Sequence, residues 1–302
     1  MPIWKKYHLA QSVEDALGVM KDAAEPSRFI AGGTDLLLDL QQGRHLPVDT
    51  LVDVTAVPEM TGLEITDPSA STGFPSRQVL YIGAAVSLKN IIRSTLVAQH
   101  AMALVEATAL IGGPQVRNTA TLGGNVAHAL PAADGAIALL ALGAVAVVGG
   151  SGGRIYAPLI DLYARPGQST LDPRKEILVG FMLPLIQPGQ ASAFSRIMRP
   201  QGVALPVLNM AAWISRQGDV VQDVRLSLGP AGKIPQRGIL VEDGLRGKPL
   251  TQASIDSAGD ALFESIHFRT SPHRASSEYR QVLSGVLLEE VLLKAWDRTQ
   301  LV

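Results

Sequence analysis

The apolar residues near the start of the chain repeat with two periods and predict a small unit of strands joined by helices. Val13, Ala16, Leu17 and Met20 recur at helical spacing behind Ser12, a hydroxyl placed to cap a helix, and Asp15 is placed to return a bond as in a capping box. Arg28 to Ala31 reads as a short strand, Gly32-Gly33-Thr34-Asp35 as a turn, Leu36 to Gln42 as a helix stopped by Gly43, and Thr50 to Val54 as a second strand. Two β-like runs, Gly62 to Ile65 and Val79 to Ile82, flank Asp67 to Gln78, whose turn residues predict a mobile connection. From Ser87 one long helical region is predicted, with Leu88, Ile91, Ile92, Leu96, Met102, Leu104, Val105 and Leu110 on its apolar side and Arg93 and His100 towards solvent.

Gly135 to Gly153 runs for nineteen residues without a charge, close to the ~20 that a membrane span requires. Its grammar favours a buried helix over Gly135–Leu142, a stop at Gly143 and a buried strand over Ala144–Val148 that ends in a glycine-rich turn. Asp161 to Gln168 reads as a loop, and Glu176 to Leu183 as a strand ending at Pro184. Beyond this point the pattern changes. Ala191–Met198, Val207–Arg216 and Val220–Leu228 are consecutive strands, with a hairpin turn at Gln217-Gly218-Asp219, and predict a three-stranded antiparallel sheet. Helices follow at Ile255–Phe263 and from Pro272 to Trp296. Ser271-Pro272 is a good start for the second, and Tyr279, Val282, Leu283, Val286, Leu287, Leu292 and Leu293 supply a wide apolar face. The predicted class is α+β: an N-terminal domain over residues 1–182, divided into subdomains of about 1–56 and 57–182, and a C-terminal α+β domain over 183–302.

Length and composition agree with this division. The 302 residues allow two cores at roughly 150 residues each, and 47% hydrophobic against 18% charged residues excludes a disordered chain. A formal charge of −1 gives no reason to expect nucleic acid or an anionic membrane as partner. With no cysteine, the chain has no disulfide framework, no thiol nucleophile and no thiolate-held iron–sulfur cluster of its own. The N-terminal lysines are not followed by an apolar segment, so no signal peptide is read and a cytoplasmic location is expected.

The candidate chemistry lies in Ile111 to Asp134, which holds Gly112, Gly113, Gly123 and Gly124, the hydroxyls of Thr119 and Thr121, the amides of Asn118 and Asn125, and Asp134. Such a segment offers backbone rather than bulk, and consecutive N–H groups can converge on a phosphate. A tight turn between core elements accounts for the glycines equally well. The earlier Gly32-Gly33 turn lies at a helix start, where unpaired N–H groups also suit a diphosphate. Asp35 there can cap the helix or meet a ribose hydroxyl, but would repel phosphate if turned inward.

Two motifs, A-G-G-T-D-L at 31–36 and R-N-T-A-T-L-G-G-N-x5-P-x2-D at 117–134, together resemble the FAD-binding medium subunit of the xanthine dehydrogenase, or molybdenum hydroxylase, family. Carbon monoxide dehydrogenase and 4-hydroxybenzoyl-CoA reductase have subunits of this kind. The likeness covers nearly the whole chain, including R-L-S-L-G-P at 225–230 and R-A-S-S-E-Y-R at 274–280. It implies a flavin bound in extended form between two N-terminal α/β subdomains of the vanillyl-alcohol-oxidase type. The flavin site implied is Phe29, Ile30, Ala31, Gly32, Gly33, Thr34, Asp35 and Leu36, with Ile111, Asn118, Thr119, Thr121, Gly123, Gly124, Asn125, Asp134, Leu178 and Arg196. Ala129-Leu130-Pro131 departs from the family's usual Ala-Ser-Pro, and Arg196 stands where lysine is usual.

The resemblance further implies that FAD is held in this chain, while the molybdenum cofactor and the [2Fe–2S] clusters belong to a large and a small partner subunit, in an assembly such as a dimer of heterotrimers. Electrons would pass from those clusters through FAD to NAD+, oxygen or another acceptor, and no residue here is expected to be a catalytic nucleophile. His128 fits the exposed side of the motif better than a role at the flavin. Two alternatives are a stand-alone flavin oxidase, which often links its flavin through His or Cys, and an assembly subunit that has lost the flavin. The absence of cysteine weakens the first.

Overall fold

A parallel sheet forms first. In the computed structural model, which describes residues 2–68, 72–74, 78–199, 205–271 and 274–300, β1 (Trp4–Leu9), α1 (Val13–Asp22), β2 (Arg28–Ile30), α2 (Leu36–Gln41) and β3 (Val48–Asp53) follow in turn, with strand order β1-β3-β2. Ile30, Leu40, Val48 and Leu51 form a small core beneath this sheet. Strand β1 gives no apolar signal because it is an edge strand whose Lys5, Lys6 and Tyr7 are exposed. Ser12 accepts from Asp15 N at 3.0 Å, as read from the sequence, but the Asp15 carboxylate reaches back to Gln11 N and to His8 instead of closing a capping box.

The second part is helical on one side and a five-stranded sheet on the other. It runs α3 (Pro58–Thr61), β4 (Leu63–Thr66), β5 (Val79–Gly83), α4 (Leu88–Arg93), α5 (Thr95–His100), α6 (Met102–Ala109), α7 (Pro114–Thr119), α8 (Leu122–Ala127) and α9 (Asp134–Ala141). Then come β6 (Val145–Gly150), β7 (Gly153–Pro158), the short ribbon β8 (Tyr163–Arg165) and β9 (Gln168–Ser169), and β10 (Glu176–Pro184). The order is β4-β5-β10-β6-β7 and every pairing is antiparallel, so the α/β description holds for the first unit alone. The helical run from Ser87 is three helices rather than one, because Ser94 caps a new one by accepting from Val97 N and Ala101 breaks the next turn. His100 is buried rather than solvent-facing. Asp161 to Gln168, read as a loop, takes in the end of a 3-10 turn at Leu159–Leu162 and most of the β8-β9 ribbon. Half of the Asp67–Gln78 connection, residues 69–71 and 75–77, lies outside the described residues.

Helix α9 explains why its sequence resembles a span. All eight of its residues are buried, and it packs between the N-terminal helices and the C-terminal sheet. A helix that is apolar on every face beyond its first residue, Asp134, belongs in such a place. Among the described residues no helix is long and apolar enough to cross a membrane.

The last part is a sheet of β11 (Gln190–Met198), β12 (Pro206–Gln217), β13 (Val220–Gly229) and β14 (Gln236–Arg237), then α10 (Ile239–Leu245), α11 (Gln252–Ser265) and α12 (Ser277–Arg298). The sheet has four antiparallel strands, not three, since a two-residue strand is too short to show an alternation. Helix α12 starts at Ser277, capped by Ser276; Ser271 instead bridges to Ala275, and Pro272 lies outside the described residues. Leu283, Leu287 and Leu292 of the expected apolar face are buried, whereas Tyr279, Val282, Val286 and Leu293 are exposed.

Candidate functional site

A cavity of about 910 Å³ opens where the three parts meet, within the ~300–1,000 Å³ usual for small-molecule and cofactor sites. The first anchor forms one wall from Phe29 through Leu36. Its chain leaves β2, turns through Gly33 at φ +66 and enters α2. Among the described residues the N–H groups of Gly32, Gly33, Thr34, Asp35 and Leu36 donate to no protein acceptor, so five consecutive donors stand at the cavity wall. The Asp35 side chain makes no capping bond there.

The second anchor is built differently from a bare amide loop. Pro114 at the start of α7 and Thr121 as cap of α8 make the segment helical, and the amides that start α8 are already used. Leu122 N donates to Val86 O, Gly123 N to Ala84 O, Gly124 N to Thr121 Oγ1 and Asn125 N to Thr121 O. What this side offers the cavity is a smooth surface at Thr121 and Gly124 and the Asn125 amide, whose Oδ1 is buried without a partner. Gly123 does not line the cavity: a Cβ there would lie 2.5 Å from Ala84 Cβ, so this glycine lets α8 press on the turn after β5.

The two anchors touch. A Cβ at Gly32 would lie 2.1 Å from the carbonyl oxygen of Thr119. Thr119 therefore abuts the first anchor through its main chain, while it and Asn118 are exposed on α7 and absent from the cavity lining. Ile111, His128 and Leu130 do line it. Leu178 is buried in β10 beside Val148, away from the lining. Between α8 and α9, Ala129 adopts φ 54, a left-handed conformation costing a non-glycine residue roughly 1–2 kcal/mol. The sharp turn it makes leaves Leu130 to Asp134 along the cavity wall.

Asp134 and Arg196 form a buried pair, 4% and 5% exposed in their side chains, with Nη1 to Oδ2 at 2.5 Å. Asn209 completes it by donating to Asp134 Oδ1 at 2.6 Å and to Ala132 O at 3.1 Å. Burial pushes the Asp134 carboxyl up to about 6, against the opposite pull of Arg196 and Asn209. Asn209 was not singled out from the sequence, although a lone amide within the apolar run of β12 is a readable sign of a buried hydrogen-bond role. Arg28, Arg269, Arg274 and Arg280 also line the cavity unforeseen; only the R-A-S-S-E-Y-R likeness touched two of them. Five arginines and two aspartates line the cavity, and one aspartate is neutralised by Arg196, so the space favours an anion.

The arrangement can grip an anionic group by amides, wall a long ligand on both sides and meet a polar group near Asp134. Among the described residues no cluster of His, Cys, Asp and Glu is suited to a metal ion.

Known proteins resemble the chain over nearly its whole length. The family described as "FAD binding domain in molybdopterin dehydrogenase" matches residues 4–186, and "CO dehydrogenase flavoprotein C-terminal domain" matches 192–295. The chain is 27% identical over 295 residues to the xanthine dehydrogenase FAD-binding subunit of Escherichia coli O157:H7, covering 96% of this chain and 95% of that one. It is 30% identical over 296 residues to the nicotine 6-hydroxylase medium subunit of Paenarthrobacter nicotinovorans, covering 97% and 98%. Among solved structures, a chain of the carbon monoxide dehydrogenase from Hydrogenophaga pseudoflava superposes with a TM-score of 0.88 at 25% identity, covering 99% of each chain.

Proposed function

Given that the chain belongs to the family of FAD-binding medium subunits of the molybdopterin dehydrogenases, we propose that its cavity holds FAD and that its task is electron transfer within a molybdenum hydroxylase complex. The observation that carries this reading is the row of five unpartnered amides from Gly32 to Leu36, lining a cavity that Thr121, Gly124 and Asn125 of the second glycine anchor also line. Peptide nitrogens converging in this way suit a diphosphate, since they bring partial positive charge without bulk.

In this reading Gly32 to Leu36 hold the diphosphate, while Thr121, Gly124 and Asn125 line the other side of the chain of ligand atoms. Ile111 and Leu130 supply apolar wall. Each Asp134 oxygen accepts one protein bond and has capacity for a second, so this carboxylate can receive a ligand hydroxyl while Arg196 and Asn209 hold it still. Bound flavin supplies the redox chemistry, collecting two electrons and passing them on. The chain's own residues bind it and orient it.

The partners proposed are a large subunit carrying the molybdenum cofactor and a small subunit carrying [2Fe–2S] clusters, with NAD+ or another small molecule as final acceptor. The absence of cysteine supports a separate cluster-bearing chain. Two N-terminal subdomains of the vanillyl-alcohol-oxidase type fit the parallel and antiparallel sheets on either side of the cavity. Purification of the native protein tests the whole reading: one acid-releasable FAD per chain, with molybdenum and iron in co-purifying chains, is expected. A colourless protein that takes up no FAD would refute it.

A further inference from the structure

The C-terminal wall of the cavity carries a group that the flavin reading leaves unused. Arg280 lies in the first turn of α12 with its side chain buried, 1% exposed, at the floor of the cavity. Its Nη1 donates to Arg269 O at 2.7 Å, and its Nε has no partner. Arg269 and Arg274 line the same wall, and their guanidinium groups make no hydrogen bond or ion pair among the described residues. The nearby Glu278 is turned to Ser277. Asp134, the acidic residue most deeply set in the cavity, is held by Arg196 and Asn209.

A buried guanidinium without a carboxylate is costly, and proteins ordinarily pair such a charge. Burial, with Arg269 and Arg274 as like-charged neighbours, works against the charged form of Arg280 and lowers its pKa. Two exposed arginines beside it add to the repulsion instead of relieving it. An anion entering the cavity would relieve all three, and a guanidinium fork matches phosphate oxygens in geometry as well as charge.

We propose that Arg280, Arg269 and Arg274 form an anion subsite on the C-terminal wall of the cavity, distinct from the amide row at Gly32–Leu36 and suited to a phosphate group. The phosphate comes either from the flavin nucleotide itself, whose one diphosphate the arginines would then share with the amide row, or from a second phosphorylated molecule that meets it. The inference rests on the flavin reading only for the identity of the first source.

The test uses the full chain, with inorganic pyrophosphate as probe, and compares wild type with Arg269→Gln/Arg274→Gln and with Arg280→Lys. The double variant alters exposed side chains, so its fold is expected to survive, as circular dichroism would verify. If the FAD-loaded chain binds pyrophosphate and the variants weaken it at least tenfold with FAD affinity unchanged, the subsite serves a second molecule. If the loaded chain does not bind it and the variants weaken FAD at least tenfold with riboflavin affinity unchanged, the subsite serves the flavin's own phosphates. Either result supports the proposal. If wild type takes no FAD but binds pyrophosphate in a manner the double variant weakens tenfold, the subsite stands and the flavin reading falls. Unchanged FAD and pyrophosphate affinities in the folded double variant would overturn the subsite.

Discussion

Gly32 meets Thr119 so closely that a Cβ on the first would lie 2.1 Å from the carbonyl oxygen of the second. This contact joins the two anchors beside the cavity and leaves no room for any other residue at position 32. We expect Gly32→Ala to force the anchors apart, lowering stability by roughly 1–3 kcal/mol and FAD affinity at least tenfold. Urea unfolding and flavin titration would check this. A stable variant with normal FAD affinity would mean that the contact does not set the cavity width.

Gly123 and Gly124 are neighbours in sequence with different duties. A Cβ at Gly123 would collide with Ala84, whereas one at Gly124 would meet only Thr121 Oγ1, at 3.1 Å. Gly123→Ala should therefore destabilise the chain by roughly 1–3 kcal/mol. Gly124→Ala should change stability by less than about 1 kcal/mol, because helix propensity offsets the closer contact. Gly124→Val would project bulk into the cavity and should reduce flavin content severely in a folded protein. Equal melting temperatures for the two alanine variants would count against this division of labour.

Much of this could be read along the chain, and the failures have physical causes. The strands of the C-terminal sheet were legible because apolar residues fill them and Gln217-Gly218-Asp219 marks their turn. Strand β1 and the two-residue β14 were not, since one is an exposed edge and the other is shorter than any period. The glycine motifs located the cavity, yet composition could not tell Gly32–Leu36, whose amides are open, from Gly123–Asn125, whose amides are spent within the fold. Arg280 and Asn209 enter the site through long-range packing, which no local pattern records.

Burial raises the Asp134 carboxyl from 3.8 to about 6. The native chain then binds a proton there that the unfolded chain has released, so this contribution to stability is complete below about 3.8 and is lost as pH rises through 6. We expect wild type to lose roughly 1–3 kcal/mol, relative to Asp134→Asn, between about pH 4 and pH 7. Urea midpoints of both proteins across that range give the difference directly. A constant difference would show that the carboxyl titrates at its ordinary value. Asp134→Ala is a harsher change, leaving Arg196 buried without its carboxylate, and should cost about 3–5 kcal/mol.

Glu106 should behave with the opposite sign. It lies on α6 and accepts from Phe194 N of β11 at 2.9 Å, while Lys294 and Arg298 of α12 reach it at 2.8 and 2.6 Å. Burial alone would raise its pKa, but Arg298, Lys294 and the Phe194 amide outweigh it and hold the carboxyl below its ordinary 4.5. The stabilisation is therefore present above that value and is lost as pH falls through the lower, native one. Because these side chains are partly exposed, solvent screens the pair, and we expect Glu106→Gln to cost about 1–2 kcal/mol at pH 7. The cost should shrink as the pH is lowered below about 4, where wild type also carries a neutral side chain. Since Glu106 fastens the helices of the N-terminal half to β11 and α12, the variant should also expose the segment between β10 and β11 to faster amide exchange. An unchanged exchange rate there, together with a pH-independent difference in stability, would show that the fastening is supplied by apolar packing alone.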